Sequence, residues 1–407
     1  MSRTFILVVD DDPTIRSLVA LGLESADYEV QTADGGLRAL ELLDQRRPDA
    51  VVADLMMPAV DGLELCATIR RREEFQDLPF VVLTAKNYET DRLAARQVGV
   101  DSYLEKPVHF PTLDRTLKQL VANKLEVGFW GVRGTLPAPG PTSLRYGGNT
   151  NCVCVDFPRG ERIIFDAGSG IRPLGAKVMA EGGRQNGTIL ITHPHWDHIN
   201  ALPFFAPLYV PGNQFQVCGP AQPGATMRDL VNGQMDGRYF PITPREFGAD
   251  LTYVDLRPGT FEVQGLEVAA TLLMHPGNCL GYRVRYDNRT IAYITDQELS
   301  SPEYPIYNAT YVAELARFLD GVDVLITDTT YTDAEYPSKV RWGHSSVSQV
   351  VDLAHRANVK QLCMVHHDPS QTDDDIDLKL EAAGTALARL GSRVVPSLPA
   401  EGETLRI

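Results

Sequence analysis

The chain has 407 residues, and its 38 basic and 53 acidic side chains give a formal net charge of −15 at pH 7. This length predicts two or three domains, each large enough for its own core, and 43% hydrophobic residues is typical of a soluble globular protein. The negative charge argues against a broad nucleic-acid-binding surface, because neutralising phosphates requires clustered Lys and Arg.

No segment predicts membrane insertion or secretion. The chain has no run of 18 apolar residues, and its N-terminus Met1-Ser-Arg-Thr-Phe lacks the pattern of a signal peptide. The six cysteines are scattered, with one CxC spacing and no CxxC, which is typical of buried cysteines in a reducing cytosol. We therefore expect a cytoplasmic protein with no membrane partner.

The first 123 residues alternate strand-like and helix-like segments. Short apolar runs bounded by turn residues predict strands at 4–10, 28–33, 50–55, 80–85 and 102–106. Amphipathic patterns predict helices at 13–25, 36–45, 62–72, 90–98 and 111–123. Five βα units of this kind predict an α/β fold with a doubly wound parallel sheet, and its site is expected at the carboxyl ends of the strands.

Polar residues stand at those strand ends, and their arrangement resembles the response-regulator receiver domain, a flavodoxin-like (βα)5 fold. The resemblance rests on the motifs Val9-Asp10-Asp11, Ala53-Asp-Leu-Met-Met-Pro58, Asp61-Gly62, Thr84-Ala85 and Lys106-Pro107. It implies that Asp54 is the phosphoacceptor and that a cognate sensor histidine kinase is the partner. It also implies that Tyr103 is the aromatic switch residue.

Asp54 depends on neighbouring polar groups for phosphoryl transfer. Three carboxylates in one cleft repel one another unless a cation neutralises them, so Asp10 and Asp11 are expected to hold Mg²⁺ together with Asp54. Lys106 would neutralise charge on the phosphoryl group, and Thr84 would hydrogen-bond its oxygens.

Asp12 makes a third consecutive acid, which leaves open which two of the three coordinate the ion. Val8-Val9 before Asp10 and Arg16 after it favour the first two acids. Asp12 is then expected to cap helix 13–25, which opens with a proline.

The two predicted domains meet without a flexible linker. Helix 111–123 is followed at once by Lys124-Leu-Glu-Val127, which predicts another strand, and no Gly/Ser/Pro-rich stretch separates the two. The expected domains are therefore residues 1–123 and 124–407, held in a defined geometry. Because receiver domains commonly pair through the surface near Tyr103 and the fifth helix, a homodimer is a candidate assembly.

The second domain contains a dense cluster of metal-binding residue types. The segment His193-Pro-His195-Trp-Asp197-His198 follows the apolar run 188–192, which predicts a buried strand. Histidines two positions apart point to the same side of a strand end, so His193 and His195 can share one ion while Asp197 and His198 reach a second. Imidazole and carboxylate ligands without thiolate favour Zn²⁺, with Mn²⁺ or Fe as alternatives.

This cluster resembles the HxHxDH motif of the metallo-β-lactamase superfamily, an αββα sandwich with a dinuclear metal site at one edge. The chain also holds the further ligands that the superfamily uses, at His275, Asp296 and His366. The resemblance implies one ion on His193, His195 and His275, a second ion on Asp197, His198 and His366, and Asp296 as the bridge between them. His367 is the alternative to His366, which is preferred because it comes first after an apolar strand.

Residues 125 to 400 resemble the ribonuclease Z and phosphodiesterase branch of that superfamily. The resemblance rests on Phe129-Trp-Gly-Val-Arg-Gly-Thr135, Arg145-Tyr-Gly-Gly-Asn-Thr-Asn151 and Asp166-Ala-Gly-Ser-Gly170. His344, in Trp342-Gly-His-Ser-Ser346, precedes a predicted helix at 347–357 and matches the histidine that assists phosphodiester cleavage in that branch. A helix N-terminus beside a metal pair is suited to meeting a phosphate.

Together these features predict a two-component response regulator whose output is a dinuclear metal-dependent phosphodiesterase, controlled by phosphorylation of Asp54. A metal-activated water would attack phosphorus, Asp197 would accept its proton, and His344 would protonate the leaving group. Asp166 or Asp328 is expected to orient a metal-binding imidazole.

The substrate is expected to be a small phosphodiester such as a cyclic nucleotide. Ribonuclease Z holds tRNA with a long basic arm, whereas the Gly/Pro-containing segment 218–224 is short and not basic, which disfavours folded nucleic acid. Two alternatives stay open: a receiver-controlled metal-binding sensor or interaction module without turnover, and a hydrolase of a non-phosphate ester or thioester. The complete ligand set together with His344 favours the phosphodiesterase.

Overall fold

The computed structural model describes residues 3–76, 78–85, 94–95, 97–122 and 125–407, which divide into two units. The first unit contains Met1–Leu125, Asp156–Glu161 and Glu181–Gly183; the second contains Glu126–Val155, Arg162–Ala180 and Arg184–Ile407. The expected boundary between residues 123 and 124 lies outside the described residues. Among the helices that the structure describes, none has the length and apolar character needed to cross a bilayer.

Five strands build the sheet of the first unit: β1 (Phe5–Val9), β2 (Glu29–Ala33), β3 (Ala50–Asp54), β4 (Phe80–Thr84) and β5 (Ser102–Glu105). They are all parallel, in the order β2-β1-β3-β4-β5. Every residue of β1, β3 and β4 is buried, which explains their continuous apolar sequences. The predicted flavodoxin-like sheet is confirmed.

Helices flank this sheet: α1 (Pro13–Ser25), α2 (Gly36–Gln45), α3 (Gly62–Arg70) and α4 (Phe110–Ala122), with a 3-10 turn at Glu73–Phe75. Asp12 caps α1, because its side chain accepts hydrogen bonds from the N–H groups of Thr14 and Ile15. Most of the predicted helix at 90–98 lies outside the described residues.

The second unit contains two seven-stranded sheets. In chain order its strands are β6 (Glu126–Gly131), β7 (Cys152–Asp156), β8 (Arg162–Phe165), β9 (Asn186–Leu190), β10 (Gln214–Pro220), β11 (Asp250–Leu256), β12 (Gly259–Val263), β13 (Leu266–Leu272), β14 (Leu280–Tyr286), β15 (Arg289–Ile294), β16 (Val324–Asp328), β17 (Gln361–Val365), β18 (Val395–Ser397) and β19 (Thr404–Arg406). One sheet has the order β11-β10-β9-β8-β7-β6-β19 and the other the order β12-β13-β14-β15-β16-β17-β18.

Helices cover the outer faces of these sheets. They are α5 (Ile171–Ala180), α6 (Trp196–Ile199), α7 (Met227–Gln234), α8 (Ala309–Phe318), α9 (Val347–Arg356) and α10 (Asp373–Arg389), with 3-10 turns at Leu202–Phe204, Ala206–Tyr209, Pro244–Glu246 and Tyr336–Ser338. One core joins α5 and α7 to the first sheet, and a second joins α8, α9 and α10 to the other sheet. Between the sheets, the Phe165 ring stacks on Tyr293 at 4.8 Å and the Tyr282 hydroxyl donates to the Ile191 carbonyl at 2.6 Å. The predicted αββα sandwich is confirmed.

Candidate metal centre

Parallel strands of the second unit bring the predicted ligands to one edge. β15, β16 and β17 are parallel neighbours, so their carboxyl ends lie together. Asp296 follows β15 by two residues, Asp328 ends β16, and His366 follows β17 directly. His193 and His195 lie between β9 and α6, and His195 is the N-cap residue of α6.

Three buried polar residues at this edge have a left-handed backbone. Asp166, Asp296 and His366 each have a φ of 60°. That conformation costs a residue with a side chain about 1–2 kcal/mol, and it persists only where surrounding contacts hold it. These three positions therefore carry backbone strain. Strained backbone at clustered polar side chains is typical of functional sites.

Among the described residues, His193, His195, His275 and Asp296 form the first of two donor groups that share Asp296, and the candidate ligand atoms of each group lie within 4.8 Å of one another. His195 Nδ1 lies 2.7 Å from His193 Nε2 and 3.1 Å from His275 Nε2. Asp296 Oδ2 lies 3.5 Å from His193 Nε2 and 3.7 Å from His275 Nε2. Since His195 is exposed, this group is accessible from solvent.

Asp197, His198, Asp296 and His366 form the second donor group, and all four are buried. Asp197 Oδ2 lies 3.3 Å from both His198 Nε2 and His366 Nε2. Asp296 Oδ1 lies 3.3 Å from His198 Nε2 and 3.0 Å from His366 Nε2. The backbone N–H of Thr135 also donates to Asp197 Oδ2 at 2.7 Å, which fixes this carboxylate.

Asp296 belongs to both groups, and each of its oxygens faces one of them. Oδ2 is directed at His193 and His275, whereas Oδ1 is directed at His198 and His366. A carboxylate in this position can bridge two cations. The other donors are imidazole nitrogens and one further carboxylate, a set that suits Zn²⁺, Mn²⁺ or Fe. The residues present therefore fit a dinuclear centre.

Desolvation lowers the pKa of all three histidines of the first group. Desolvation holds the pKa of His193 well below its ordinary value, and it also lowers the pKa of His195. It lowers the pKa of His275 to about 4. Neutral imidazole is the form that binds a metal, so these three rings are ready to coordinate at neutral pH.

The two histidines of the second group differ, because carboxylates surround them. Burial by itself would lower their pKa values, but Asp296 and Asp197 outweigh it. They raise the pKa of His366 to about 10 and the pKa of His198 well above its ordinary value. A cation bound at this group would compete with protons for these rings, because an imidazole ligand must be neutral.

In four histidines, Nε2 faces a donor group and Nδ1 contacts another polar group. His198 Nδ1 lies 2.7 Å from Asp166 Oδ2, and His275 Nδ1 lies 2.9 Å from the Gly343 carbonyl. His366 Nδ1 contacts the Thr330 hydroxyl at 3.0 Å, and His193 Nδ1 contacts the Thr192 hydroxyl at 3.2 Å. Such contacts fix the tautomer and the orientation of a ligand ring.

His344 lies beside the two donor groups that share Asp296, and it forms a further candidate group with Asp328 and His366. Its ring centroid is 5.4 Å from that of His275 and 4.9 Å from that of His366. Its Nδ1 lies 3.2 Å from Oδ2 of Asp328, a carboxylate that is completely buried. Burial raises the pKa of Asp328 above its ordinary value. Among the two carboxylates expected to orient imidazoles, Asp166 contacts His198 and Asp328 contacts His344.

His367 takes a different position from His366. Its Nδ1 lies 3.2 Å from the ammonium group of Lys379, and it belongs to none of the donor groups found among the described residues. Burial holds the pKa of His367 well below its ordinary value. The geometry therefore favours His366 as the ligand.

The first unit carries a separate acidic site. Asp10, Asp11 and Asp54 place carboxylate oxygens within 4.8 Å of one another. Lys106 Nζ donates to Asp10 Oδ2 at 2.8 Å and to Asp54 Oδ1 at 2.5 Å. Burial raises the pKa of Asp54, and the charge of Lys106 opposes that shift. Thr84 ends β4 as a buried residue, next to β5 in the sheet.

Tyr103 is half-buried on β5, where its backbone pairs with Val82 of β4. The Met56 N–H donates to Asp54 Oδ2 at 3.1 Å, so both oxygens of the Asp54 carboxylate are engaged.

The two folds and their sites define a class of protein: a receiver-type unit with an acidic cleft, joined to an αββα sandwich with clustered imidazole and carboxylate donors. The family model of the response regulator receiver domain matches residues 6–118, and that of the beta-lactamase superfamily domain matches residues 161–367, just over half of the chain. The chain therefore belongs to the beta-lactamase superfamily, with a response regulator receiver domain ahead of that domain.

Individual relatives match one part each. The response regulator MprA of Mycobacterium sp. (strain KMS) is 41% identical over 138 residues, which are 34% of this chain and 54% of that protein. The chain thus spans about half the length of the curated relatives that it matches. The metallo-beta-lactamase fold protein YhfI from Bacillus subtilis is 14% identical, with a TM-score of 0.49 over 70% of this chain and 100% of YhfI. The short form of human tRNase Z is 19% identical, with a TM-score of 0.47 over 69% and 98% of the two chains.

Several residues around the centre carry no signal in the sequence. Thr135 acts through its backbone N–H, and Thr330 acts through a hydroxyl that is common in any loop. Glu298 follows Asp296 by two residues, and a polar residue at this distance from a strand is ordinary in a turn. Only the three-dimensional contacts reveal what these residues touch.

Proposed function

We propose that the second unit is a dinuclear metal-dependent phosphodiesterase that acts on a small phosphodiester such as a cyclic nucleotide. The observation that carries this proposal is the position of His344, a protonatable side chain beside both donor groups. Phosphodiester cleavage needs a proton at the leaving oxygen, and a positioned histidine is suited to supply it.

Each group of residues has a distinct part in this proposal. Two divalent ions, Zn²⁺ or alternatively Mn²⁺ or Fe, would supply an acidified water and neutralise phosphoryl oxygens when bound to the seven donor residues. His344 transfers a proton to the leaving oxygen from Nε2, since Asp328 engages its Nδ1. Asp197 is the candidate acceptor for the proton of the attacking water.

The proposal extends to control by the receiver domain. Asp54 accepts a phosphoryl group from a sensor histidine kinase, and Asp10, Asp11 and Asp54 would hold the Mg²⁺ that neutralises charge in this cleft. Lys106 already contacts two of those carboxylates and is placed to neutralise the added charge. Thr84 and Tyr103 are the proposed residues that respond to phosphorylation.

The test compares metal content and hydrolysis in the wild type and in the variants His195→Ala and Asp296→Asn. Wild-type protein should bind close to two ions per chain and should cleave bis-p-nitrophenyl phosphate and cyclic nucleotides. Both variants should lose hydrolysis because each removes ligands, and Asp296→Asn should weaken both sites because it serves both donor groups. Metal analysis after dialysis and a panel that includes thioesters measure these outcomes.

His355→Ala is the matched control, since His355 lies on α9 and belongs to none of the donor groups among the described residues. It should bind metal and hydrolyse substrate as the wild type does. Fewer than one tightly bound ion in the wild type, with no activity on adding metal, would contradict the dinuclear centre. Cleavage of thioesters alone would replace the phosphodiesterase with the alternative hydrolase.

A further inference from the structure

Glu298 is a buried carboxylate that has no part in the proposed reaction. Only 2% of the residue is exposed. Its Oε1 accepts hydrogen bonds from the Tyr336 hydroxyl at 2.8 Å and from the Arg341 N–H at 2.7 Å. Its Oε2 accepts one from the Gly343 N–H at 2.8 Å. Two of the three donors are therefore backbone groups of one short turn, residues 341–343.

This turn has a backbone that needs support. Arg341 has a φ of 74°, a left-handed conformation that costs an arginine about 1–2 kcal/mol. Gly343 has a φ of 86°, and a Cβ atom there would lie 2.5 Å from His275 Nδ1. The turn is thus packed closely against a histidine of the first donor group. Glu298 binds the first and the last residue of this turn.

The same turn contacts the metal centre at two points. The Gly343 carbonyl lies 2.9 Å from His275 Nδ1, so it accepts the Nδ1–H and leaves Nε2 for coordination. The next residue in the chain is His344, whose ring lies beside both donor groups. A shift of the turn would therefore move a ligand ring and the proposed proton donor together.

A second link joins the segment around Glu298 to the same region. The Ser345 hydroxyl donates to the Gln297 carbonyl at 2.7 Å, and it accepts a hydrogen bond from the Leu299 N–H at 3.1 Å. The residues on either side of Glu298 are thereby bonded to Ser345, close to the turn, and this fixes the backbone that carries the Glu298 carboxylate.

We propose that Glu298 is a positioning residue of the metal centre. Its carboxylate fixes the turn 341–343, and through that turn it sets the ring orientation of His275 and the place of His344. Glu298 acts through these residues and belongs to none of the donor groups among the described residues. The inference rests on the proposed metal centre, since it assigns Glu298 to the geometry of that centre.

Glu298→Gln in the full-length chain tests this role. An amide has only one acceptor oxygen, so one N–H of the turn would face an NH₂ group and lose its partner. Metal affinity should fall by about 10-fold at one of the two sites, at the lower end of what lost orienting contacts cost. Competition with a chromophoric chelator measures the Zn²⁺ affinity, and the absorption spectrum of the Co²⁺-loaded protein reports the changed coordination of His275.

Two variants calibrate this result. Asp323→Asn makes the same chemical change in a carboxylate that accepts the Thr290 N–H at 2.8 Å. Asp323 precedes β16 and therefore lies at the opposite end of that strand from Asp328. It should leave Zn²⁺ affinity and the Co²⁺ spectrum unchanged. Tyr336→Phe removes one donor but leaves both backbone bonds of Glu298, so its loss of affinity should be smaller than that of Glu298→Gln.

A folded Glu298→Gln variant with the Zn²⁺ affinity and Co²⁺ spectrum of the wild type would overturn the inference. Should that variant fail to fold, Gly343→Ala carries the test, because it crowds His275 from the same turn; unchanged affinity there would also overturn it. Wild-type protein that binds two ions without cleaving any phosphodiester would overturn the proposed function alone. Wild-type protein that binds no ion would overturn the metal centre itself and, with it, the role of Glu298.

Discussion

At the scale of single residues, His344 is the side chain on which the proposed reaction class depends. We expect His344→Ala to keep its metal ions but to slow cleavage of substrates with poor leaving groups by about 10²–10⁴-fold, the usual effect of a lost general acid. The loss should shrink for p-nitrophenolate esters, because that leaving group needs little protonation. Steady-state rates on alkyl and p-nitrophenyl phosphodiesters, together with metal analysis, measure both effects.

Asp328→Asn provides the companion measurement for His344. Asp328 contacts His344 and belongs to neither of the two groups that share Asp296. Its replacement should therefore give a smaller loss that depends on the leaving group in the same way. An equal loss on good and poor leaving groups in His344→Ala would instead assign His344 to substrate binding.

At the scale of elements, helix α10 carries a lysine into the interior of the second unit. Lys379 is completely buried, and its ammonium group donates to the carbonyls of Thr329 at 2.6 Å and Thr330 at 2.9 Å. Burial lowers the pKa of Lys379 to about 7. The lysine thus joins α10 to the segment that follows β16, close to the Thr330 hydroxyl that contacts His366.

This lysine predicts how stability depends on pH. The folded pKa of Lys379 is about 7 and its ordinary value is 10.5, so the unfolded chain binds more protons between these two pH values. The contribution of Lys379 therefore makes the free energy of unfolding rise with pH across that window. Lys379→Met should flatten the rise and lower stability, because two buried carbonyls lose their donor. Urea unfolding of the metal-free protein at several pH values measures the slope.

Lys360→Met is the control for that slope. Lys360 pairs with Asp323, but 68% of its side chain is exposed, so its charge is solvated in the folded and unfolded states alike. The slope of this variant should match that of the wild type. If Lys379→Met also kept the wild-type slope, the lysine would have to retain its proton throughout the window.

The elements show which features the sequence could predict. Buried parallel strands such as β1, β3 and β4 are continuous apolar runs, so their positions follow from the sequence almost to the residue. The apolar run before Asp296 suggests a strand that includes this residue, whereas β15 ends at Ile294. The left-handed backbone of Asp296 turns the chain out of the sheet, and the local sequence does not predict that conformation.

The residues that form the two donor groups could be proposed from the sequence, but the contacts that orient them could not. The spacing of His193, His195 and His198 is local, so it is visible in the sequence. Glu298, in contrast, accepts from Arg341 and Gly343, which lie 43 and 45 residues further along the chain. Such partners meet only after the second unit has folded, because helix α8 and strand β16 lie between them in the sequence.

At the scale of the whole molecule, the chain combines two sites with different chemistries. The first unit holds an acidic cleft with a lysine, and the second holds two donor groups that share Asp296. Under the proposed function, phosphorylation of the receiver domain controls the hydrolase domain that follows it in the chain. We therefore expect the state of Asp54 to alter either turnover or the association of chains.

Beryllofluoride with Mg²⁺, a mimic of a bound phosphoryl group, provides the test of this coupling. It should bind the wild type but not Asp54→Asn, because the variant lacks the carboxylate that bonds to it. The mimic adds negative charge, and Lys106 and Thr84 are expected to move to contact it. This movement can shift the equilibrium between two conformations of the receiver surface. A coupling free energy of about 1–3 kcal/mol would change turnover or association 5–150-fold. Turnover and sedimentation with and without the mimic measure the two outcomes.

Asp27→Asn is the matched control for this last experiment. Asp27 precedes β2, at the edge of the sheet opposite to the carboxyl ends that carry Asp54, and its left-handed backbone, with a φ of 68°, also suits asparagine. This variant should bind the mimic and respond as the wild type does, so any loss of response in Asp54→Asn belongs to the acidic cleft. If the wild type binds the mimic while turnover and sedimentation both stay constant, the receiver domain does not control this hydrolase. Its cleft would then serve phosphoryl transfer alone, with the phosphoryl group passing on to another protein.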